Sequence, residues 1–181
     1  MDTPNVRQAQ SADQPAVGNL WEELLASQSD FDDRIGISED ARDRWENDFS
    51  MWIDDDSARL YVVENDDGTI VGFASARQWG PPPIYEDSVE VFLDELYVHP
   101  DHRREGYGSQ LVRAVRDWAE EIEARRIRLR VLTSNADGRA FWAAQDAIPL
   151  SMTFTIEGAS DRGTGSDEGT KKIGFQSERT G

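Results

Sequence analysis

The sequence predicts a mixed α/β (α+β) fold in one domain. Its 181 residues are the length of a single domain, and 38% hydrophobic residues with six Trp and seven Phe suffice for one core. Apolar residues recur at the two-residue spacing of strands in some segments and at helical spacing in others. We place the domain at residues 1–157, and we expect residues 158–181, rich in Gly, Ser, Thr and charge, to form a flexible tail.

The first half of the chain predicts two helices and a β-hairpin. Leu20, Leu24 and their apolar neighbours share one helical face, and the turn sequence Asp66-Asp67-Gly68 between two alternating segments is typical of a hairpin. The expected elements are a strand at 6–10, a helix at 13–27, a helix at 39–51, and strands at 60–63 and 70–76.

The second half begins with Gly80-Pro81-Pro82-Pro83, which excludes a helix or a paired strand and therefore predicts a loop. Apolar residues then recur at helical spacing from Leu111 to Ile122, which is the clearest helix in the sequence. The expected elements are a strand at 89–98, a helix at 111–122, a strand at 127–132, a helix at 137–145 and a strand at 150–156.

Charge and composition exclude several classes of function. The formal charge is 19 − 36 = −17, and Arg outnumbers Lys 17 to 2, which favours adaptation to a salty cytoplasm over a mere coding bias for Arg in an acidic protein. Nucleic acid and anionic membranes are therefore not expected as partners. The absence of Cys excludes disulfides, thiolate catalysis and Cys-based metal sites. No apolar run predicts a membrane span or a secretion signal, so we expect a cytoplasmic protein.

Residues 94–111 carry the most informative pattern, a predicted strand followed by a glycine-containing turn and the clearest helix. Gly106 and Gly108 allow a tight turn and a close approach to a ligand, and the first amides of a helix attract anions such as a diphosphate. Arg103 and Arg104 would add positive charge. The segment lacks the Gly-Lys-Ser/Thr of a P-loop and the three glycines of a dinucleotide fingerprint. On the glycines alone, a simple turn is an equally good interpretation.

The neighbouring residues carry a more specific pattern. Leu96-Tyr97-Val98-His99-Pro100 followed by Arg103-Arg104-Glu105-Gly106-Tyr107-Gly108 closely resembles the acyl-CoA-binding motif of the GNAT superfamily of N-acetyltransferases. In that family, Arg/Gln-x-x-Gly-x-Gly/Ala follows a Leu-x-Val-x-Pro strand end. The order of elements from about residue 5 to 157 also resembles that fold. The resemblance implies a mixed, mostly antiparallel sheet of six to seven strands flanked by about four helices, and acetyl-CoA as the co-substrate, with no metal.

The resemblance also implies the residues that would bind CoA. The strand end would bind the pantetheine arm, the turn and helix start would bind the pyrophosphate, and Asn135 would begin a second CoA-contacting segment. Asn135 is also a good N-cap for the following helix, and both roles can hold together. The implied residues are Leu96, Tyr97, Val98, Arg103, Arg104, Glu105, Gly106, Tyr107, Gly108, Ser109 and Asn135.

The sequence differs from the family at the position where relatives carry a general acid, and at positions near it. Trp142 stands where relatives carry a Tyr that protonates the departing thiolate, and Arg130 stands where some place a catalytic Glu. Gln145-Asp146-Ala147-Ile148 replaces a common Gly-Phe pair. Tyr97 or Tyr107 could supply the proton, or the thiolate could leave unprotonated.

Glu95 is the candidate general base, because several relatives carry a Glu immediately before this strand end. Alternation places Glu95 on the face of the strand opposite Leu96 and Val98, unless a bulge shifts the phase. The other interpretation of Glu95 is a solvated surface charge without a catalytic role. We interpret His99 and His102 as ordinary loop residues.

One further feature leaves the acceptor open. Trp79 with the proline loop either shapes the acceptor pocket or forms a surface turn.

The leading hypothesis is transfer of an acetyl group from acetyl-CoA to a small-molecule or peptide amine, directly within a ternary complex, by a monomer or homodimer. The alternative is a non-catalytic acyl-CoA-binding or regulatory module on the same fold, which Trp142 and Arg130 favour.

Overall fold

A computed structural model describes residues 6–32, 34–81, 84 and 88–156 of the protein. The chain divides into two units, Met1–Ala147 and Ile148–Gly181, and every helix and strand of the described residues belongs to the first. The expected tail at 158–181 lies outside the described residues. None of the described helices is both long enough and apolar enough to cross a membrane.

The first unit is a five-stranded sheet with helices on its faces. The strands follow the order β1-β2-β3-β4-β5, and all neighbours are antiparallel except the parallel pair β4 and β5. The predicted mixed, mostly antiparallel sheet with four helices is therefore confirmed. The elements are β1 (Val6–Gln8), α1 (Gln14–Phe31), α2 (Ala41–Asp54), β2 (Ala58–Glu64), β3 (Ile70–Trp79), β4 (Glu90–Val98), α3 (Tyr107–Glu121), β5 (Ile127–Leu129) and α4 (Ala136–Ala144).

The expected strand number was wrong for the described residues, which form five strands and not six to seven. Residues 150–156 form no strand, although their apolar side chains alternate, and β5 ends at Leu129 although the pattern extended to 132. Alternation shows only that a segment can present one apolar face, whereas a strand also requires a neighbouring edge that accepts its hydrogen bonds. Leu150, Met152, Phe154 and Ile156 are all exposed.

Helix boundaries also differ from the predictions. Helix α1 continues to Phe31, four residues past the predicted end, and α3 begins at Tyr107, four residues before its apolar repeat starts. The α3 start follows Gly106, whose φ of 89° is the left-handed conformation that glycine adopts without steric cost. The backbone conformation, not the apolar pattern, therefore determines where this helix begins.

The sheet separates two apolar clusters. One lies between the sheet and α1 with α2, and the other lies beneath α3. Phe73 and Ala74, adjacent on β3, point into opposite clusters and are fully buried. Burial on both faces fixes the central strands and with them the position of β4. The first cluster includes Val17, Leu20, Trp21, Trp45, Phe49, Leu60, Val62, Phe73 and Tyr97, and the second includes Val63, Val71, Ala74, Ala76, Val91, Leu93, Leu111, Val115 and Trp118.

Candidate functional site

Strands β4 and β5 separate halfway along β4. They pair only at Val91 with Ile127, Phe92 with Arg128 and Leu93 with Leu129. Beyond Leu93, β4 continues to Val98 while paired on its other edge with β3. Among the described residues, the second half of β4 therefore has one free edge, which faces a gap in the sheet.

The free edge presents backbone groups to this gap. The amide of His99 donates to the carbonyl of Val71 at 2.9 Å, so His99 faces β3. Because successive residues of a strand direct their backbone groups to opposite sides, Leu96 and Val98 direct theirs into the gap. Arg103 confirms this for Val98, since its Nε donates to the Val98 carbonyl at 3.0 Å. The gap can thus accept an extended ligand chain along β4.

A bulge turns Glu95 toward α1. Ser75 pairs with Glu95, whereas the next residue of β3, Ala76, pairs with Leu93, which leaves Asp94 as the extra residue. Leu93 therefore packs under α3, while Glu95 lies on the opposite face. Glu95 lies opposite Leu96 and Val98, as alternation predicted, and the bulge re-aims the side chain where the two strands part.

The Glu95 carboxylate is enclosed and hydrogen-bonded. Trp21 Nε1 donates to Oε1 at 2.8 Å, and Ser75 Oγ donates to Oε2 at 3.0 Å. Burial raises the pKa of Glu95 above its usual value, although both hydrogen bonds act in the opposite direction. The side chain is therefore not a solvated surface charge, and its raised pKa suits a group that exchanges protons.

Glu95 borders a cavity of about 360 Å³ between α1, α2 and the sheet. Sequence reasoning missed its three tryptophans. Trp45 and Trp52, seven residues apart on one face of α2, were a visible signal, but Trp21 joins them only through the packing of α1. The lining residues are Trp21, Ser38, Ala41, Arg44, Trp45, Asp48, Trp52 and Glu95.

The N-terminus of α3 offers a row of free amides. The first intrahelical bond runs from the amide of Gln110 to the carbonyl of Gly106, so the amides of residues 107–109 have no helical partner. Those of residues 104–106 also meet no acceptor within the described part of the chain. Arg104, like Gly106, has a left-handed φ, of 69°. Such a loop and helix start form an anion-binding concavity.

Helix α4 packs closely against this terminus. A Cβ on Gly108 would lie 3.2 Å from the Phe141 ring, so any larger residue would require this ring to shift. Gln145 Nε2 donates to Ser109 Oγ at 3.0 Å. Asn135 Oδ1 accepts from the amide of Gly138 at 2.7 Å, which confirms its N-cap role, while its CoA contact stays a prediction.

The tyrosines and Trp142 lie in different surroundings. Tyr97 is buried on the same face as Glu95, and its hydroxyl donates to Glu23 at 3.1 Å. Burial, together with Glu23, raises the pKa of Tyr97 to about 12. Desolvation also raises the pKa of Tyr107, at the start of α3. Trp142 packs into the cluster beneath α3. Tyr97 is therefore the tyrosine that shares a face with the candidate base.

The remaining candidates have structural contacts. His99 Nδ1 accepts from the amide of Asp101 at 3.3 Å. Arg130 lies over Phe92, and Arg128 lies over Trp79. Pro82 and Pro83, part of the predicted loop, lie outside the described residues. In the part of the chain that the structure describes, no group of three or more His, Cys, Asp or Glu is arranged to hold a metal.

Comparison with known proteins agrees with this geometry. Mycothiol acetyltransferase of Kineococcus radiotolerans is 32% identical over 146 residues, which are 76% of this chain and 42% of that protein. A tetramutant of BH1408 from Bacillus halodurans has the same fold, with a TM-score of 0.75 at 16% identity, covering 84% of this chain and 98% of that one.

An aminoglycoside N-acetyltransferase, AAC(6')-Iy, solved in complex with CoA, has a TM-score of 0.69 at 20% identity and covers 87% of this chain and 95% of that one. At such identities the structural likeness shows the fold alone. The sequence profile of the acetyltransferase (GNAT) family, however, matches residues 20–146. The chain therefore belongs to the GNAT family of acetyltransferases.

Proposed function

We propose that the protein transfers an acetyl group from acetyl-CoA to a primary amine by direct attack within a ternary complex. The observation that carries the proposal is the junction of three features: a strand gap into which backbone groups of Leu96 and Val98 point, free amides at α3, and an enclosed carboxylate beside a cavity. A solved CoA complex of the same fold supports the identity of the co-substrate.

Two backbone surfaces would bind acetyl-CoA. The amides of residues 104–109 would accept the pyrophosphate, with Arg103 and Arg104 supplying positive charge in an acidic chain. The groups of Leu96 and Val98 that face the gap would pair with the amides of the pantetheine arm. An amide of this edge would also donate to the thioester oxygen and stabilise the charge that develops there.

The chemistry then requires three proton movements, because the ammonium loses two protons on becoming an amide and the sulfur gains one. Glu95 would take the first proton from the ammonium, directly or through one water, so that the amine nitrogen can attack the thioester carbon. The second nitrogen proton would leave to solvent as the C–N bond forms and the C–S bond breaks. The electron pair of the C–S bond leaves on sulfur. Tyr97 would supply the proton to that sulfur, because it shares a face with Glu95 and a pKa of about 12 keeps its hydroxyl protonated.

Amine-dependent release of CoA thiol from acetyl-CoA tests the proposal. We expect release that saturates with an amine, with lines that intersect when acetyl-CoA and amine are varied together, as for a ternary complex. Tight binding of acetyl-CoA with no release across a broad amine panel would contradict transfer and favour the binding-module alternative.

A further inference from the structure

Aromatic rings line the cavity beside Glu95, and we call the rings of Trp21, Trp45 and Trp52 the indole wall. Trp21 and Trp45 are stacked with ring centroids 5.5 Å apart and an interplanar angle of 24°. Trp52, which is half-buried, also lines the cavity. Three indole rings around about 360 Å³ give a small, mostly apolar pocket, near the lower end of the ~300–1,000 Å³ usual for ligand sites.

The indole groups also have little capacity to bind hydroxyls. Trp21 Nε1 already donates to Glu95 at 2.8 Å. An indole has no acceptor and one donor, so a ligand with many hydroxyls would lose hydrogen bonds to water that this wall does not replace. The wall therefore disfavours polyhydroxylated ligands.

The charge at the cavity favours a cation. Asp48 is exposed at the lining and has no ion-pair partner among the described residues. Arg44, which also lines the cavity, is paired with Asp40 at 2.8 Å and is 72% exposed, so its charge is screened by solvent. A ligand ammonium would thus meet the carboxylates of Asp48 and Glu95 and the half-buried ring of Trp52.

We propose that the acceptor is a compact primary ammonium ion that carries an aromatic or similarly flat apolar body. This inference rests on the proposed acetyl transfer and specifies the substrate class of that site. The apolar body stacks on Trp52 and its neighbours, and the ammonium lies toward Glu95. Amino sugars and linear polyamines are poorer acceptors, because their additional polar groups meet the same indole wall.

Rates of thiol release with four amines test the inference: 2-phenylethylamine, ethanolamine, neamine and spermidine. We expect kcat/KM for 2-phenylethylamine to exceed that of each other amine by about tenfold or more, the size of one good aromatic contact. Highest activity with ethanolamine, neamine or spermidine would overturn the inference and leave acetyl transfer intact.

The variant Trp52→Leu, with Met51→Ala as the matched control, tests whether the indole wall binds the acceptor. Met51 precedes Trp52 on α2 and is 63% exposed. We expect Trp52→Leu to raise the KM for 2-phenylethylamine about tenfold while the Kd of acetyl-CoA is unchanged, and Met51→Ala to leave both constants unchanged. An unchanged KM in Trp52→Leu would overturn the inference.

A binding measurement separates the inference from the proposed function. If no amine supports thiol release, 2-phenylethylamine is titrated calorimetrically into the protein saturated with acetyl-CoA. Binding that Trp52→Leu weakens would retain the cavity as an aromatic-ammonium site and refute catalysis. No binding would overturn the inference as well.

Discussion

Replacing Glu95 by Gln or by Ala separates the stability of the site from its chemistry. Gln keeps the shape, and its carbonyl oxygen still accepts from Trp21 Nε1, while its amide can donate to the hydroxyl of Ser75. Ala leaves the Trp21 donor without its acceptor, which costs about 1–3 kcal/mol. Below the usual carboxyl pKa, where Glu95 is protonated in the folded and unfolded states, we therefore expect denaturant unfolding to show a change below about 1 kcal/mol for Gln and a loss of about 1–3 kcal/mol for Ala.

The stability of the Gln variant relative to the natural protein should rise with pH. Burial raises the pKa of Glu95, so the folded state binds the proton more tightly than the unfolded state. Stability is then lost as pH rises from the usual carboxyl pKa through the raised one, by about 1.4 kcal/mol for each pH unit that separates the two. Gln has no such loss. Unfolding free energies at pH values below and above this interval measure the difference.

Activity should respond differently from stability. Loss of a general base lowers kcat by roughly 10²–10⁴-fold. In the natural protein, kcat should rise with pH through the raised pKa of Glu95, and Glu95→Gln should remove this limb. A Gln variant with kcat within threefold of the natural protein and an unchanged limb would refute the role of Glu95 as base, whatever its stability.

Three further predictions concern stability. The melting temperature should rise substantially from low to molar KCl, because the net charge of −17 is screened over about 3 Å at 1 M salt, and a flat melting temperature would contradict salt adaptation. Glu123 has a left-handed φ of 54°, so Glu123→Gly should stabilise by about 0.5–1 kcal/mol in urea. The control Glu121→Gly, at the last residue of α3, should not stabilise the protein. A loss of stability in Glu123→Gly would show that the strain is absent. A Cβ on Gly72 would lie 2.7 Å from the Tyr97 carbonyl, so Gly72→Ala should cost about 1–3 kcal/mol in the same assay, and a neutral result would contradict the close β3 to β4 approach.

The local features of the fold were predictable from the sequence. The hairpin around Asp66-Asp67-Gly68 and the amphipathic α3 depend on turn chemistry and periodicity, which lie within short segments. The turn at Gly106 was predictable for the same reason, since its φ of 89° favours glycine. The candidate base was predicted from its position next to the strand end, but its environment was not.

Features that depend on distant segments were not predictable. The Trp21 to Glu95 hydrogen bond joins residues 74 positions apart. The bulge at Asp94 is defined by its pairing with β3, which no pattern within β4 reveals. Likewise, the alternation over 150–156 is that of a strand, yet these residues pair with no edge in the described structure. Each of these features depends on which neighbour a segment meets.

Calorimetric titration with acetyl-CoA tests the central claim most directly, with Gly106→Val beside Gly68→Val. Both glycines have positive φ, 89° and 77°, and a Cβ on either would meet no atom within 4 Å, so the two variants carry a similar backbone strain. Only Gly106 lies at the α3 amides. The account predicts binding by the natural protein and by Gly68→Val, and loss of binding in Gly106→Val. Absence of binding in the folded natural protein, or equal binding by both variants, would contradict it.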